Sequence, residues 1–228
     1  MSEPMPRPVL DLRGRLVVSC QASADSPLAD VSHIVALARA AVAGGAQALR
    51  LEGVGNVQAV RAAVDVPIIG IVKSDLPNDH AFITIRTSEV VALVAAGAEI
   101  VAFDATARQR QESMAEIVAA IRDAGAIAMA DISTLEEGQQ AMADGAHFVG
   151  TTLSGYTAYS PKLDGPDFAL MEELRASDIP FVAEGRIWSP AEAARAIELG
   201  ALFVVVGSAI TRPDHITRRF AAALDAVS

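Results

Sequence analysis

The stretch VAAGAEIVAFDAT (94–106) carries the pattern that decides the fold. An Ala-rich helical segment ends at Gly97, and a short apolar run follows and ends in Asp104. The same unit recurs as AAVAGGAQALRLEG (40–53), IRDAGAIAMADIS (121–133), MADGAHFVGTTLS (142–154) and IELGALFVVVGS (197–208). Glycine ends a helix readily because it adopts positive φ without a Cβ penalty. Each unit therefore predicts a helix that stops just before a buried strand.

Three further strands complete the pattern. Two follow an Asp-apolar-Pro step, in DVPIIGIVK (65–73) and DIPFVAEGR (178–186), and the first is RLVVSCQ (15–21). Proline stops the preceding helix and opens an extended segment. The intervening helices are predicted near residues 31–43, 54–63, 87–96, 113–124, 135–143, 167–176, 190–199 and 213–226. Strict alternation of apolar strands and helices is typical of a parallel sheet buried on both faces.

Eight strand–helix units predict an α/β fold, a single-domain (β/α)8 TIM barrel with a parallel eight-stranded sheet that spans residues 1–228. Such barrels commonly use roughly 200 to 250 residues as one unit. The alternative is an open, doubly wound sheet. The missing G-x-G-x-x-G after the first strand and the number of units disfavour it.

Charge and composition exclude several functional classes. The chain has 28 acidic and 18 basic residues, and aromatic residues make up only 4% of it. Both features disfavour binding to nucleic acid, which needs positive charge and stacking surfaces. The N-terminal stretch contains three prolines and no signal-like apolar run, and no stretch is apolar enough for a membrane span. With Cys20 as its one cysteine, the chain is expected to work in the reducing cytoplasm.

Polar side chains stand where the predicted strands end, which is the active-site face of such a barrel. They are Gln21, Arg50 with Glu52, Lys73, Asp104, Asp131, Thr152 with Ser154, Glu184 with Arg186, and Ser208. A two-residue period places Lys73 on the same strand face as Ile69 and Ile71. Any one of these residues could simply begin a solvated loop. Together, cations among carboxylates predict a polar substrate cavity above the barrel.

The last two units predict an anion site. AEGR (183–186) and VGSAITRP (206–213) each precede a helix. Backbone N–H groups of Gly185, Gly207 and Ser208 could hold a phosphate, with Arg186 or Arg212 adding positive charge. In the alternative interpretation these glycines only form tight turns.

Metal and thiol chemistry find no support in the sequence. The four histidines show no ligand spacing, and no second cysteine accompanies Cys20, which we interpret as a packed apolar side chain. We therefore predict no metal.

The motifs together resemble one enzyme family over nearly the whole chain. They are VSCQ (18–21), IVKSDLP with FIT (71–84), FDAT (103–106), MADIST (129–134), TTLSGYT (151–157), GPDF (165–168), AEGR (183–186) and VVGSAITRP (205–213). The chain is similar to the N-acetylmannosamine-6-phosphate 2-epimerases of sialic-acid and amino-sugar catabolism. That resemblance implies epimerisation at carbon 2 of an amino-sugar phosphate, without nicotinamide or metal.

The resemblance also implies roles for individual residues. Lys73 and Glu184 match the catalytic pair of the family. Substrate contacts are expected from Gln21, Arg50, Asp131, Asp104 and Thr152, and phosphate contacts from Gly185, Arg186, Gly207, Ser208 and Arg212. The expected partner is a small sugar phosphate, with neither nucleic acid nor membrane, and family analogy is compatible with a homodimer.

Three questions stay open at the level of sequence. The proton transfer at carbon 2 could use one base or two. A strand-end lysine in a phosphate-binding barrel could instead form a Schiff base, as in a lyase. A third alternative is a barrel that binds a phosphosugar without turning it over.

Overall fold

The computed structural model describes residues 4–77 and 79–226. In these residues eight parallel strands form a closed barrel in which each strand pairs with the next along the chain and β8 closes on β1. The strands are β1 (Leu16–Cys20), β2 (Ala48–Glu52), β3 (Ile68–Ile71), β4 (Ile100–Asp104), β5 (Ile127–Asp131), β6 (Phe148–Gly150), β7 (Phe181–Glu184) and β8 (Val204–Val206).

Helices alternate with these strands on the outside of the barrel. They are α1 (Arg7–Asp11), α2 (Val31–Ala43), α3 (Val54–Arg61), α4 (Thr87–Ala95), α5 (Met114–Asp123), α6 (Leu135–Ala143), α7 (Phe168–Ala176), α8 (Pro190–Glu198), α9 (Ser208–Thr211) and α10 (Pro213–Asp225). Capping boxes begin α5, α6 and α8. In each, the side chain of the N-cap Ser or Thr accepts a hydrogen bond from the backbone N–H of a glutamate three residues later, and the side chain of that glutamate accepts one from the N-cap backbone. The predicted (β/α)8 barrel is therefore confirmed, and the open sheet is excluded.

The repeated glycine has the backbone conformation that the sequence predicted. Gly97 has φ of 106° and Gly125 has φ of 75°, and each follows the last turn of a helix. In both cases the next residues enter a buried strand. The glycine pattern thus fixes where α4 and α5 end and where β4 and β5 begin.

Two apolar layers hold the barrel together. One lies between sheet and helices and includes Leu49, Leu51 and Phe103. The other fills the barrel interior and includes Met129 as well as Ile69 and Ile71, which the two-residue period had placed on one strand face. Burial of this much apolar surface is the main force that stabilises such a fold.

Helix α1 was not predicted from the sequence. Its buried Val9, together with Leu12 just after it, packs into the interior layer and closes the N-terminal end of the barrel. The cavity that remains therefore lies toward the opposite end, where the strands finish. In the part of the chain that the structure describes, no helix is long and apolar enough to cross a bilayer.

Candidate active site

A cavity of about 690 Å³ lies at the C-terminal ends of the strands. It is lined by ten of the twelve residues to which the family resemblance gave roles, namely Gln21, Arg50, Lys73, Thr152, Glu184, Gly185, Arg186, Gly207, Ser208 and Arg212. The strand-end residues Glu52 and Ser154 do not line it. Asp104 and Asp131 are not on its wall. Among the lining residues Glu184 is the one carboxylate, whereas five side chains are lysine or arginine. The cavity is therefore basic although the chain as a whole is acidic.

Arg50 joins two carboxylates at the floor of the cavity. Its guanidinium comes from β2 and contacts Asp131 of β5 at 2.5 and 3.2 Å and Glu184 of β7 at 2.7 Å. Arg50 is 1% exposed and Asp131 is fully buried. Buried charges of this kind persist only when they are paired and hydrogen-bonded. Arg50 thus fixes two carboxylates from strands on the far side of the barrel.

Glu184 sits in an environment that favours its protonated form. Burial, countered by Arg50 and reinforced by Asp131, raises the pKa of Glu184 to about 7. A carboxyl group with this pKa can donate a proton near neutral pH. Two hydrogen bonds to Thr151 hold the Glu184 backbone in place.

Lys73 extends from the end of β3 into the cavity. Burial lowers the pKa of Lys73, Arg50 and Arg212 lower it further, and Glu52 opposes them. A lower pKa makes a lysine easier to deprotonate, which is the direction that a role as base requires. The backbone at Lys73 forms an antiparallel bridge with Ile83, so the segment that follows β3 folds back over the site.

Asp104 lies behind the wall and binds the protein itself. Its carboxylate accepts hydrogen bonds from the Phe82 N–H at 2.7 Å, from the N–H and hydroxyl of Thr106, and from Arg108 at 3.3 Å. Asp104 is 1% exposed. The structure therefore places this carboxylate between the loops after β3 and β4, and not at the cavity surface where the sequence expectation put it.

The predicted phosphate residues cluster after β7 and β8. Arg212 is held by two hydrogen bonds to Asp214, at 2.9 and 3.0 Å. Arg186 donates to the carbonyl oxygens of Gly165 and Ser154, so much of its guanidinium already supports the loop after β6. The structure brings these residues together at one side of the cavity.

Other lining residues escaped the sequence analysis. Arg108 reaches the cavity from the loop after β4, and Trp188 and His215 reach it from the segments after β7 and β8. Arg219 of α10 stacks on the Trp188 ring at 4.1 Å. A basic residue soon after a strand end was the available signal for Arg108. Among the described residues no cluster of three His, Cys, Asp or Glu side chains is arranged to bind a metal.

Comparisons with known proteins point to one group. Residues 34–226 match the family described as "Putative N-acetylmannosamine-6-phosphate epimerase". A Yersinia pestis protein named "Putative N-acetylmannosamine-6-phosphate 2-epimerase" is 46% identical over 213 residues, which cover 93% of this chain and 91% of that protein. The solved N-acetylmannosamine-6-phosphate 2-epimerase of Clostridium perfringens superposes with a TM-score of 0.92 at 43% identity, covering 98% of this chain and 99% of that one.

A longer relative is also similar. The "Bifunctional enzyme NanE/NanK" of Brucella melitensis is 48% identical over 217 residues, which cover 95% of this chain. The chain spans 42% of the length of that protein, and 41% of its Brucella suis counterpart.

Proposed function

The chain belongs to the N-acetylmannosamine-6-phosphate epimerase family, and on that premise we propose that it interconverts N-acetylmannosamine 6-phosphate and N-acetylglucosamine 6-phosphate. In this proposal the enzyme removes the proton at carbon 2 and returns a proton to the opposite face. It acts as an isomerase in amino-sugar and sialic-acid catabolism.

The position of Lys73 and Glu184 carries the proposal. Lys73 follows β3 and Glu184 ends β7, and these strands lie four places apart in a barrel of eight. The two side chains therefore face the same cavity from opposite sides. Epimerisation needs a proton to leave one face of a carbon and arrive at the other. Opposed groups favour two proton carriers over one.

The pKa of each residue of the pair is shifted in the direction that its role requires. Lys73, with its lowered pKa, takes the carbon 2 proton, and the electron pair of that bond moves toward the carbonyl oxygen of the open-chain sugar. Glu184, with a pKa near 7, gives its proton to the other face of carbon 2. In the reverse direction the two residues exchange tasks.

Arg50 stabilises the enediolate that forms between these steps. It lines the cavity, and Asp131 and Glu184 hold its guanidinium in place before any substrate is bound. A donor fixed before the reaction stabilises developing negative charge, and loss of one such donor costs about 3 to 4 kcal/mol in related cases. Gln21 and Thr152 line the same cavity, and in this proposal they contact sugar oxygens. Asp131 and Asp104 act from behind the wall by holding Arg50 and Arg108.

The phosphate is bound by Gly185, Arg186, Gly207, Ser208 and Arg212 in this proposal. The support for this assignment is that all five residues line the cavity and follow β7 or β8, which are neighbours in the barrel. Phosphate contacts remote from carbon 2 orient the reacting carbon, so removal of the phosphate should lower the rate as well as the affinity. We further propose that residues 1–228 form one catalytic domain, that the protein works in the cytoplasm, and that the chain forms a homodimer.

Proton NMR in heavy water tests the proposal. With N-acetylmannosamine 6-phosphate, we expect N-acetylglucosamine 6-phosphate to appear with deuterium at carbon 2, and we expect Lys73→Ala and Glu184→Ala to lower this rate by about 10² to 10⁴. Arg195→Ala, an exposed change on α8, is the control for handling and folding.

The lyase alternative is tested in the same samples. The lowered pKa of Lys73 is the observation that favours a Schiff base. Borohydride in the presence of substrate should leave no adduct on Lys73. A covalent adduct, with no deuterated epimer, would replace epimerisation by lyase chemistry. Tight binding of the sugar phosphate with neither product nor proton exchange would mean that the chain binds this ligand without turning it over.

A further inference from the structure

One hydroxyl stands between the two carboxylates of the site. Thr152 Oγ lies 2.6 Å from Asp131 Oδ1 and 3.3 Å from Glu184 Oε2. Thr152 belongs to the short 3-10 turn Thr151–Leu153 that follows β6. The distances are held from both sides, because Thr151 is hydrogen-bonded to the Glu184 backbone and Leu153 N–H donates to the Ile132 carbonyl.

A threonine hydroxyl has one hydrogen, so it can donate to only one of two carboxylates. The shorter distance assigns that hydrogen to Asp131. The oxygen of Thr152 then turns a lone pair toward Glu184, and two facing acceptors repel each other. The contact becomes a hydrogen bond when Glu184 itself carries a proton and donates it to Thr152.

The charge on Arg50 agrees with this assignment. One guanidinium faces two carboxylates, and it contacts Asp131 with both Nη1 and Nη2 but Glu184 with Nη1 alone. Asp131 therefore receives three donated hydrogen bonds as a carboxylate. Glu184 receives only one, from Arg50. A proton that either carboxyl group could carry is therefore favoured on Glu184.

We propose that Thr152 is a positioning residue that donates its hydroxyl hydrogen to Asp131 and holds the exchangeable proton on Glu184. The inference deepens the proposed function and rests on it. Glu184 must carry a proton before it can deliver one to carbon 2. In this proposal Thr152 keeps that proton on Glu184. When that proton leaves, the new carbon–hydrogen bond forms with the electron pair of the enediolate and Glu184 becomes a carboxylate. Glu184 then regains a proton before the next turnover in the same direction.

The charged groups that face Glu184 come from three strands. They are Arg50 from β2, Lys73 from β3 and Asp131 from β5. Burial is the largest influence on the pKa of Glu184, and it also favours the neutral form. A hydrogen donated by Thr152 to an ionised Glu184 would lower this pKa, so the sign of the Thr152 effect depends on which group donates across their 3.3 Å contact. Thr152 also faces Glu184 but carries no charge, so it can be altered without changing the net charge of the site.

The fold leaves room for this arrangement at Gly150. Gly150 pairs with Asp131 across β5 and β6. A Cβ at Gly150 would lie 3.0 Å from both Asp131 Oδ1 and Thr152 Oγ1. A side chain at this position would press on the two atoms whose hydrogen bond the proposal uses.

Two substitutions at one position test the proposal. Thr152→Val keeps the shape and removes the hydroxyl, whereas Thr152→Ser keeps the hydroxyl. In heavy water, loss of the carbon 2 proton signal reports deprotonation by Lys73, and formation of the epimer reports delivery to the opposite face. We expect Thr152→Val to slow epimer formation by about tenfold or more with much less effect on exchange, and Thr152→Ser to recover most of the loss.

The pH profile supplies a second readout. Without the acceptor on Thr152, protonated Glu184 loses a hydrogen bond and its proton affinity falls. The alkaline limb of kcat should move to lower pH by about one unit in Thr152→Val, and should stay near the wild-type position in Thr152→Ser. An infrared titration of the protonated carboxyl band that Glu184→Gln removes should show the same displacement in the protein without substrate.

The outcomes separate the two proposals. Parallel loss of exchange and epimer formation in Thr152→Val, with an unmoved infrared midpoint, would overturn the role of Thr152 while leaving the epimerase in place. Wild-type protein that neither exchanges nor epimerises would overturn the proposed function. The infrared titration would still decide in that case whether Thr152 holds the proton on Glu184.

Discussion

Arg50 is the residue on which the electrostatics of the site depend most. It is fully buried, and it is the guanidinium that pairs with both Asp131 and Glu184. Replacing it by methionine preserves much of the volume but leaves two buried carboxylates without a cation. Breaking a buried pair in this way costs about 3 to 5 kcal/mol.

We therefore expect Arg50→Met to lower the free energy of unfolding by about 3 to 5 kcal/mol at pH 7. Urea denaturation measures this. Arg195→Met is the matched control, because Arg195 pairs with Glu198 and Glu172 on the surface and such pairs contribute less than about 1 kcal/mol. Equal losses in the two variants would mean that the buried network contributes no more than an exposed ion pair.

Glu184 makes stability depend on pH in a particular direction. Its pKa is about 7 in the folded protein and 4.5 in its unperturbed state, so the folded state binds more protons between these values. The stabilising contribution of this group is complete below about pH 4.5 and is lost as pH rises through about 7.

Glu184→Gln should remove that dependence. We expect the wild-type free energy of unfolding, relative to the variant, to fall by up to about 3 kcal/mol as pH rises from the acid to the alkaline side of this window. Urea titrations at a series of pH values measure the difference, and titrating groups that do not interact with Glu184 cancel between the two proteins. A difference that rises with pH would show that Glu184 is stabilised as a carboxylate.

At the scale of elements, β6 shows how a short strand makes room for chemistry. A Cβ at Gly150 would lie 2.5 Å from Met129 Cε as well as against the Asp131 and Thr152 oxygens. We expect Gly150→Ala to lower the free energy of unfolding by about 1 to 3 kcal/mol and to reduce kcat. In Gly55→Ala, on α3, the added Cβ meets no atom within 4 Å, so up to about 1 kcal/mol should be gained. Thermal unfolding with rate measurements compares them; an unaffected kcat in Gly150→Ala would contradict the steric argument.

The elements were predictable where local chemistry decides them. Helices α2 and α6 run over the predicted residues, and the others end within two residues of their predicted bounds, because glycine and proline act on the backbone locally. Helices α1 and α9 and the 3-10 turn after β6 were missed. Such short segments depend on contacts distant in sequence, as Val9 of α1 does when it packs inside the barrel.

The candidate site was predictable in position more than in bonding. A position at the end of a strand places a side chain at the mouth of a barrel, and it did so for Lys73 and Glu184. It does not say which atoms that side chain will bind. Asp104 turns to the loop after β3, and Arg186 turns to the loop after β6, because buried backbone donors and acceptors there need partners.

At the scale of the whole molecule, the distribution of charge opposes the net charge. The chain has a formal charge of −10, yet the cavity wall holds Arg50, Lys73, Arg108, Arg186 and Arg212 with Glu184 as the one carboxylate among its lining residues. Charges farther from a bound phosphate than about 8 to 10 Å are screened at ordinary ionic strength. We therefore expect the nearby cations to determine how salt affects binding of the proposed sugar phosphate.

We expect KM for N-acetylmannosamine 6-phosphate to rise several-fold as sodium chloride increases from about 20 to about 200 mM, with kcat nearly constant, because screening weakens attraction before the chemical steps.

Arg108→Gln should raise KM at low salt and reduce its salt dependence, since one cavity cation is lost while the barrel and the catalytic pair remain. Arg195→Gln, remote from the cavity, should leave both unchanged. Initial rates at several salt concentrations supply the comparison, with competitive inhibition by the uncharged sugar N-acetylmannosamine as reference. If salt weakened inhibition by the uncharged sugar as strongly as it raised KM, the effect would belong to the protein in general and not to attraction between the cavity cations and the phosphate.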